Sequence, residues 1–200
     1  MAIIDYFNII IKPEPTMAED VKHADLREAF KTFAIMGAII GLMIGLIIAV
    51  AGERIGLGGI GWIAILIAPV VVGFLYASFS GFGVGLQHFC ARLLGGKGTF
   101  IQLYYLASRL FWPALFASII LSLANAIPFV GILISILWWI YSGIYLNVVA
   151  ISIAHRISKW RALVAFLLPM IVIGVIFLAV AGAAFFSFLA LLVPMVSAGI

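Results

Sequence analysis

"FAIMGAIIGLMIGLIIAVAG", residues 33–52, runs for twenty positions without a charged or amide side chain. As a helix, a run of about 20 apolar residues reaches across the roughly 30 Å hydrocarbon core of a bilayer. Its small residues, Gly37, Gly41, Gly45 and Ala49, recur every fourth position and therefore share one helix face. Lipid tails are as apolar as leucine, so helices in a bilayer associate through close backbone approach, and such a stripe calls for a partner helix. The next apolar run, 60–87, has Gly73, Ala77, Gly81 and Gly85 at the same spacing. The two stripes predict a tightly packed helical hairpin, with homodimerisation as the other use open to them.

The composition agrees with a bilayer as the solvent. Residues are 66% hydrophobic and 9% charged, and the mean hydropathy is +1.34. Soluble domains hold about 45–50% apolar and 25% charged residues. Uncharged apolar runs cover about 33–52, 60–87, 103–127, 130–154 and 162–198. The fold class expected is an all-α integral membrane protein, a bundle of five transmembrane helices preceded by interfacial or cytoplasmic N-terminal helices over 1–32. The last run is long for one span and is read as one helix with a tilted, kinked or interfacial tail, rather than a hairpin turning near Gly182.

Ten of the eleven Lys and Arg residues fall on one side of this arrangement. They are Lys12, Lys22, Arg27 and Lys31 in the N-terminal segment, Arg92, Lys97 and Arg109 at or just beyond the second loop, and Arg156, Lys159 and Arg161 in the fourth. Basic loops stay in the cytoplasm, which places the N-terminus inside and the C-terminus outside. "HRISKWRA", 155–162, then reads as a cytoplasmic loop. Trp160 is its headgroup anchor, and Arg156, Lys159 and Arg161 are candidate contacts for anionic lipid or a protein partner. Arg109, about two turns into the third run, would cost roughly 2.5–3.5 kcal/mol at mid-membrane and is expected to snorkel to the headgroups or to join a hydrogen-bonded site.

In the N-terminal segment, "IIDYFNIII" precedes Pro13 and Pro15, so an interfacial helix followed by a turn is expected. Thr16 and Glu19 have capping-box spacing and predict a second, amphipathic helix beginning there and leading into the first span. Its charges from Glu19 to Lys31 are either a docking face or a solvated side.

Little in the spans points to chemistry. All seven carboxylates lie within the first 53 residues, and none falls in an apolar run. Proton relays and cation-coupled carriers use an ionisable acid at membrane depth. Cys90 stands alone, His88 and Cys90 make no ligand cluster, and "GLGGIG" at 56–61 has no following lysine of a phosphate loop. Ser142 and His155 are the best nucleophile and base, but 13 residues of one helix hold them about 20 Å apart. Asn147 is expected to bond to another helix. No catalytic residue, cofactor, metal or nucleic acid is implied.

The order of elements resembles the Yip-domain family of Ypt/Rab-interacting membrane proteins, in particular its compact prokaryotic members. The resemblance rests on Phe7, Ile10, Lys12 and Pro13, on "LGGKGTF" at 94–100, on Pro113, on Ile127, Pro128 and Gly131 with Trp138 downstream, and on Ser158, Lys159 and Ala162. It implies a five-helix membrane fold without enzymatic activity, residing in a prokaryotic cell membrane. Eukaryotic relatives act in membrane trafficking and bind Rab-type GTPases or one another. Their long cytoplasmic region and Asp-Leu-Tyr-Gly-Pro type motif are missing here, so a GTPase partner does not carry over. The reading is a non-enzymatic scaffold or adaptor that presents a cytoplasmic face to anionic headgroups, a protein partner or a second copy. A channel or carrier for a neutral or anionic solute is the alternative.

Overall fold

A computed structural model of the chain describes residues 3–54, 56 and 58–197. Residue 198 of the fifth expected run, Leu57 of the "GLGGIG" turn and the side chain of Asp5 lie outside what it describes. Among the described residues there is helix and no strand. The helices are α1 (Ile3–Ile11), α2 (Pro13–Asp20), α3 (Leu26–Arg54), α4 (Gly58–Leu93), α5 (Phe100–Ser122), α6 (Pro128–Trp138), α7 (Leu146–His155) and α8 (Lys159–Ser197). Short 3-10 turns occupy Val21–His23 and Leu123–Ala126, and a π-helical segment, Trp139–Tyr145, joins α6 to α7. Among the described residues, five helical stretches are long and apolar enough to cross a bilayer: Leu26–Arg54, Gly61–Leu93, Phe100–Ala126, Phe129–His155 and Lys159–Ala184.

The N-terminal segment differs from its sequence reading. The second helix starts at Pro13, where Lys12 leaves helical geometry, so both prolines sit in a first turn that needs no N–H donor. Thr16 is inside this helix and is not its cap; its hydroxyl donates to the Asn8 carbonyl at 3.3 Å. The chain breaks at Ala24, which is extended, and the Asp25 carboxylate accepts from the Arg27 amide at 2.7 Å at the start of α3. From there α3 continues without interruption through residue 32 and into the first span.

Compact packing divides the chain into 1–166 and 167–200. In the second unit α8 continues as one apolar helix without a break at Gly182. In the first unit α3 and α4 form the closest helix pair. A Cβ added at Gly37 would lie 2.7 Å from the Val72 carbonyl oxygen, one at Gly41 2.4 Å from that of Ala68, and one at Gly45 2.7 Å from that of Ala64. Each of these three glycines therefore meets backbone, which cannot give way as a flexible side chain can. On α4, Gly73 faces the Ala34 carbonyl, but below it the stripe changes partner. Gly81 meets the Tyr104 ring, Gly85 meets Phe100, and the Tyr104 hydroxyl donates to the Ala77 carbonyl at 3.0 Å. One stripe of α4 thus serves two neighbours, α3 and α5.

Overpacking a tight site costs typically about 1–3 kcal/mol. Gly41→Leu is expected to lower unfolding stability in detergent by at least about 2 kcal/mol, whereas Gly83→Ala, whose Cβ meets nothing within 4 Å, shifts it by less than about 0.5 kcal/mol. Equal shifts for the two would contradict a backbone-limited α3–α4 contact.

Candidate interaction face

The segment Leu94–Thr99 crosses the end of α7, and its glycines make the crossing feasible. Gly95 has φ +90, a left-handed conformation that a side chain disfavours. A Cβ on Gly98 would lie 1.9 Å from the Ala154 carbonyl oxygen, and one on Gly96 2.8 Å from His155 Nδ1. With no side chain in the way, the Lys97 amide donates to the His155 carbonyl at 3.0 Å, and the Gly96 amide donates to that of Ala91 at 2.8 Å. Thr99 and Gln102 then form a reciprocal capping box that starts α5.

On the facing chain, α7 stops at Arg156, which takes the left-handed conformation at φ 54. The Ser152 hydroxyl donates to the Ile157 carbonyl at 2.6 Å, and the Ile157 amide donates back to Ser152, so the turn is closed by its own hydrogen bonds. The second and fourth loops thus lie together. Arg92, Lys97, Arg156 and Arg161 are all exposed there, and Trp160 is 73% exposed beside them. Arg92 and Lys97 were legible in the sequence only as topological charges, because nothing local says that their loop meets residues 154–161.

His155 does not join this cationic surface. It is fully buried, with Nε2 3.2 Å from His88 Nδ1 and, among the described residues, no hydrogen-bond partner for Nδ1. Nor does it meet Ser142, whose hydroxyl donates to the Trp138 carbonyl at 2.8 Å. Asn147 was expected to reach another helix. Instead its amide donates to the carbonyls of Ser142 and Gly143, at 3.1 and 3.0 Å, on its own π-helical segment. A π turn interrupts the regular i→i−4 ladder, and these are carbonyls that a neighbouring amide can satisfy.

The N-terminal helices fold back onto the same bundle. Ile9 and Met17 are almost wholly buried, α1 packs against α5 and α2 against α7. The Tyr141 hydroxyl donates to the Ile10 carbonyl, and Lys159 donates to the Glu14 carboxylate, which also lies 3.5 Å from the Tyr145 hydroxyl. The hydrogen bond from Lys159, with its charge, holds the Glu14 carboxyl below its usual range. Lys159 is therefore tied to α2, unlike the other cations of its loop.

Arg109 is a correction of a different kind. It does not snorkel: its side chain is 6% exposed, and Nε lies 3.2 Å from Asp20 Oδ2. The carboxylate that meets this membrane arginine comes from 89 residues away in sequence, where the end of α2 reaches α5. Of the residues expected at the lipid or partner contact, Arg156, Lys159, Trp160 and Arg161 lie together, and Arg109 forms a buried ion pair instead.

Among comparisons with known proteins, one family model, described as the Yip1 domain, matches residues 7–181. No curated protein and no solved structure matches the chain.

Removing one partner of a buried ion pair costs about 3–5 kcal/mol. Asp20→Ala is expected to destabilise by at least about 2 kcal/mol, with a coupling to Arg109→Met of at least about 1 kcal/mol in a double-mutant cycle; additivity would mean that the pair does not interact. The Glu14–Lys159 tie should follow pH. A depressed carboxyl pKa adds stability above the ordinary value of 4.5, and this is lost as pH falls through the lowered value. Protease cleavage within α2 is expected to stay constant from pH 7 down to that range and to rise below it, whereas Glu14→Gln shows the raised rate at pH 7 and no such rise.

Proposed function

The chain belongs to the Yip1 domain family, and from that premise we propose that it is a non-enzymatic, multi-pass membrane scaffold whose function lies in the surface formed by residues 92–97 and 156–161. That surface faces the cytoplasm of a prokaryotic cell, with the N-terminus on the same side. It takes an anionic counterpart, either lipid headgroups or an acidic segment of a protein partner.

One observation carries the reading. Arg92, Lys97, Arg156 and Arg161 come from two loops that meet and are exposed, and among the described residues none of the four forms an ion pair, while Glu14 is held by Lys159. Arg156 is held in a left-handed turn beside them. Exposed cations on one surface without an ion-pair partner among the described residues are understandable if an external anion supplies the partner. Near an anionic surface each Lys or Arg contributes about 1 kcal/mol, so four of them support retention over neutral lipid by several kcal/mol. Trp160, half apolar and half polar, suits the headgroup layer beside them. The non-enzymatic part of the reading rests on the family to which the chain belongs.

Photo-crosslinking from position 160 in native membranes tests this. The expected result is capture of anionic lipid or of a discrete acidic protein, reduced at least about tenfold when Arg92, Lys97 and Arg161 are changed to Gln and Arg156 to Gly. Lys159 is left intact in this variant so that the α2 contact survives. Unchanged capture, or equal capture of neutral lipid, would end the proposal.

A further inference from the structure

A second feature is independent of the loop surface. Between α4, α5 and the π-helical segment there is a cavity of about 480 Å³, within the size range of ligand pockets. Its walls are mostly apolar, with Phe33, Leu110 and Phe111 among them, yet Ser80, Gln87, Ser118, Ser142 and Asn147 also line it. All five are neutral, and the cavity wall has no charged side chain.

Their hydrogen bonds divide them into two sets. Ser118 accepts from the Trp138 indole at 2.7 Å and donates to the Ala114 carbonyl, Ser142 donates to Trp138, and Asn147 donates to the π segment. Ser80 and Gln87 have no hydrogen-bond partner among the described residues. They stand seven residues apart on α4, two turns or about 10 Å along one face. Gln87 closes the expected span 60–87, five residues before the exposed Arg92, so its amide stands at the interfacial end of the cavity and Ser80 lies two turns deeper. Between them, Gly83 lines the same cavity, and a Cβ there would meet nothing within 4 Å, so the wall is open at this point.

We propose that this cavity binds an uncharged, hydroxyl-bearing lipid of the diacylglycerol kind. Gln87 and Ser80 pair with its hydroxyl and ester groups, and its upper chain segments lie against Phe33, Leu110 and Phe111. Neutral donors and acceptors can satisfy a hydroxyl, whereas a phosphate or ammonium group would be desolvated there with no countercharge. The apolar walls select an amphiphile over a dissolved polyol such as glycerol, which has no surface to bury on them.

The test uses the full chain reconstituted in phosphatidylcholine vesicles and a photoactivatable diacylglycerol, with adducts mapped by mass spectrometry. Adducts are expected on peptides of α4, α5 and the π segment. Gly83→Phe, which fills the open wall, should reduce them at least about tenfold, and Ser80→Ala with Gln87→Leu, which keeps the volume, about tenfold. If Gly83→Phe does not fold, the second variant decides alone. Undiminished labelling in the folded variants, equal labelling by a photoactivatable phosphatidylcholine at the same peptides, or displacement by millimolar glycerol would each overturn the proposal.

Discussion

The passage of the Gly96–Gly98 backbone over the last turn of α7 is the contact on which the rest of this end of the bundle depends. Any Cβ at Gly98 would coincide with the Ala154 carbonyl, so a glycine there is a steric requirement. Once this segment is seated, the Lys97 amide satisfies a carbonyl that the end of α7 would otherwise leave exposed. The same contact joins the end of α4, the start of α5 and the turn into α8. It also decides the electrostatics. Every carboxylate of the chain precedes residue 54, and these loops come later, so bringing them together assembles cations with few anions at hand.

The helix that converts this local contact into a bundle is α5. Its Tyr104 bonds to α4 and stacks near Phe33 of α3, and its Arg109 meets Asp20 where the N-terminal segment returns. A lone arginine in the third span would be a burden on insertion, and a lone Asp20 against an apolar helix would be no better. Paired, each offsets much of the cost of desolvating the other. A pair of this kind adds little net stability compared with an apolar replacement, but it strongly penalises any arrangement that separates its members. Its consequence is positional: α2 is held against the bundle at one register.

The hydropathy of 33–52 and of its four successors made the spans legible, since a bilayer imposes one length on each of them. The α3 glycine stripe was legible for the same reason, because small residues at fixed spacing have few other uses in lipid. The division of the α4 stripe between α3 and α5 was not, because spacing gives a face but not the neighbour on that face. The N-terminal fold-back was hidden by distance: Glu14 with Lys159 and Asp20 with Arg109 are pairs of long sequence separation whose members look like ordinary solvated charges. In sequence, Pro13 and Pro15 read as a barrier to helix; in the structure they start one. The proline ring forbids a helix from entering from its N-terminal side, and it also suits a first turn.

The fourth span shows why periodicity fails locally. In an α-helix, positions five apart lie about 140° from each other around the axis, so Ser142 and Asn147 would face different neighbours. A π turn, with its i→i+5 bonding, brings positions five apart onto one side. Both residues then line the same cavity, and the Asn147 amide can reach the Ser142 carbonyl. The sequence through 139–145, an apolar aromatic stretch with one Ser-Gly pair, looks like any membrane helix, since its distinguishing residue lies beyond it at 147. Asn147 is therefore not a polar contact between helices. It stabilises an irregular turn within one helix, and that turn gives the span a polar side facing inward while its hydropathy stays that of a lipid-facing segment.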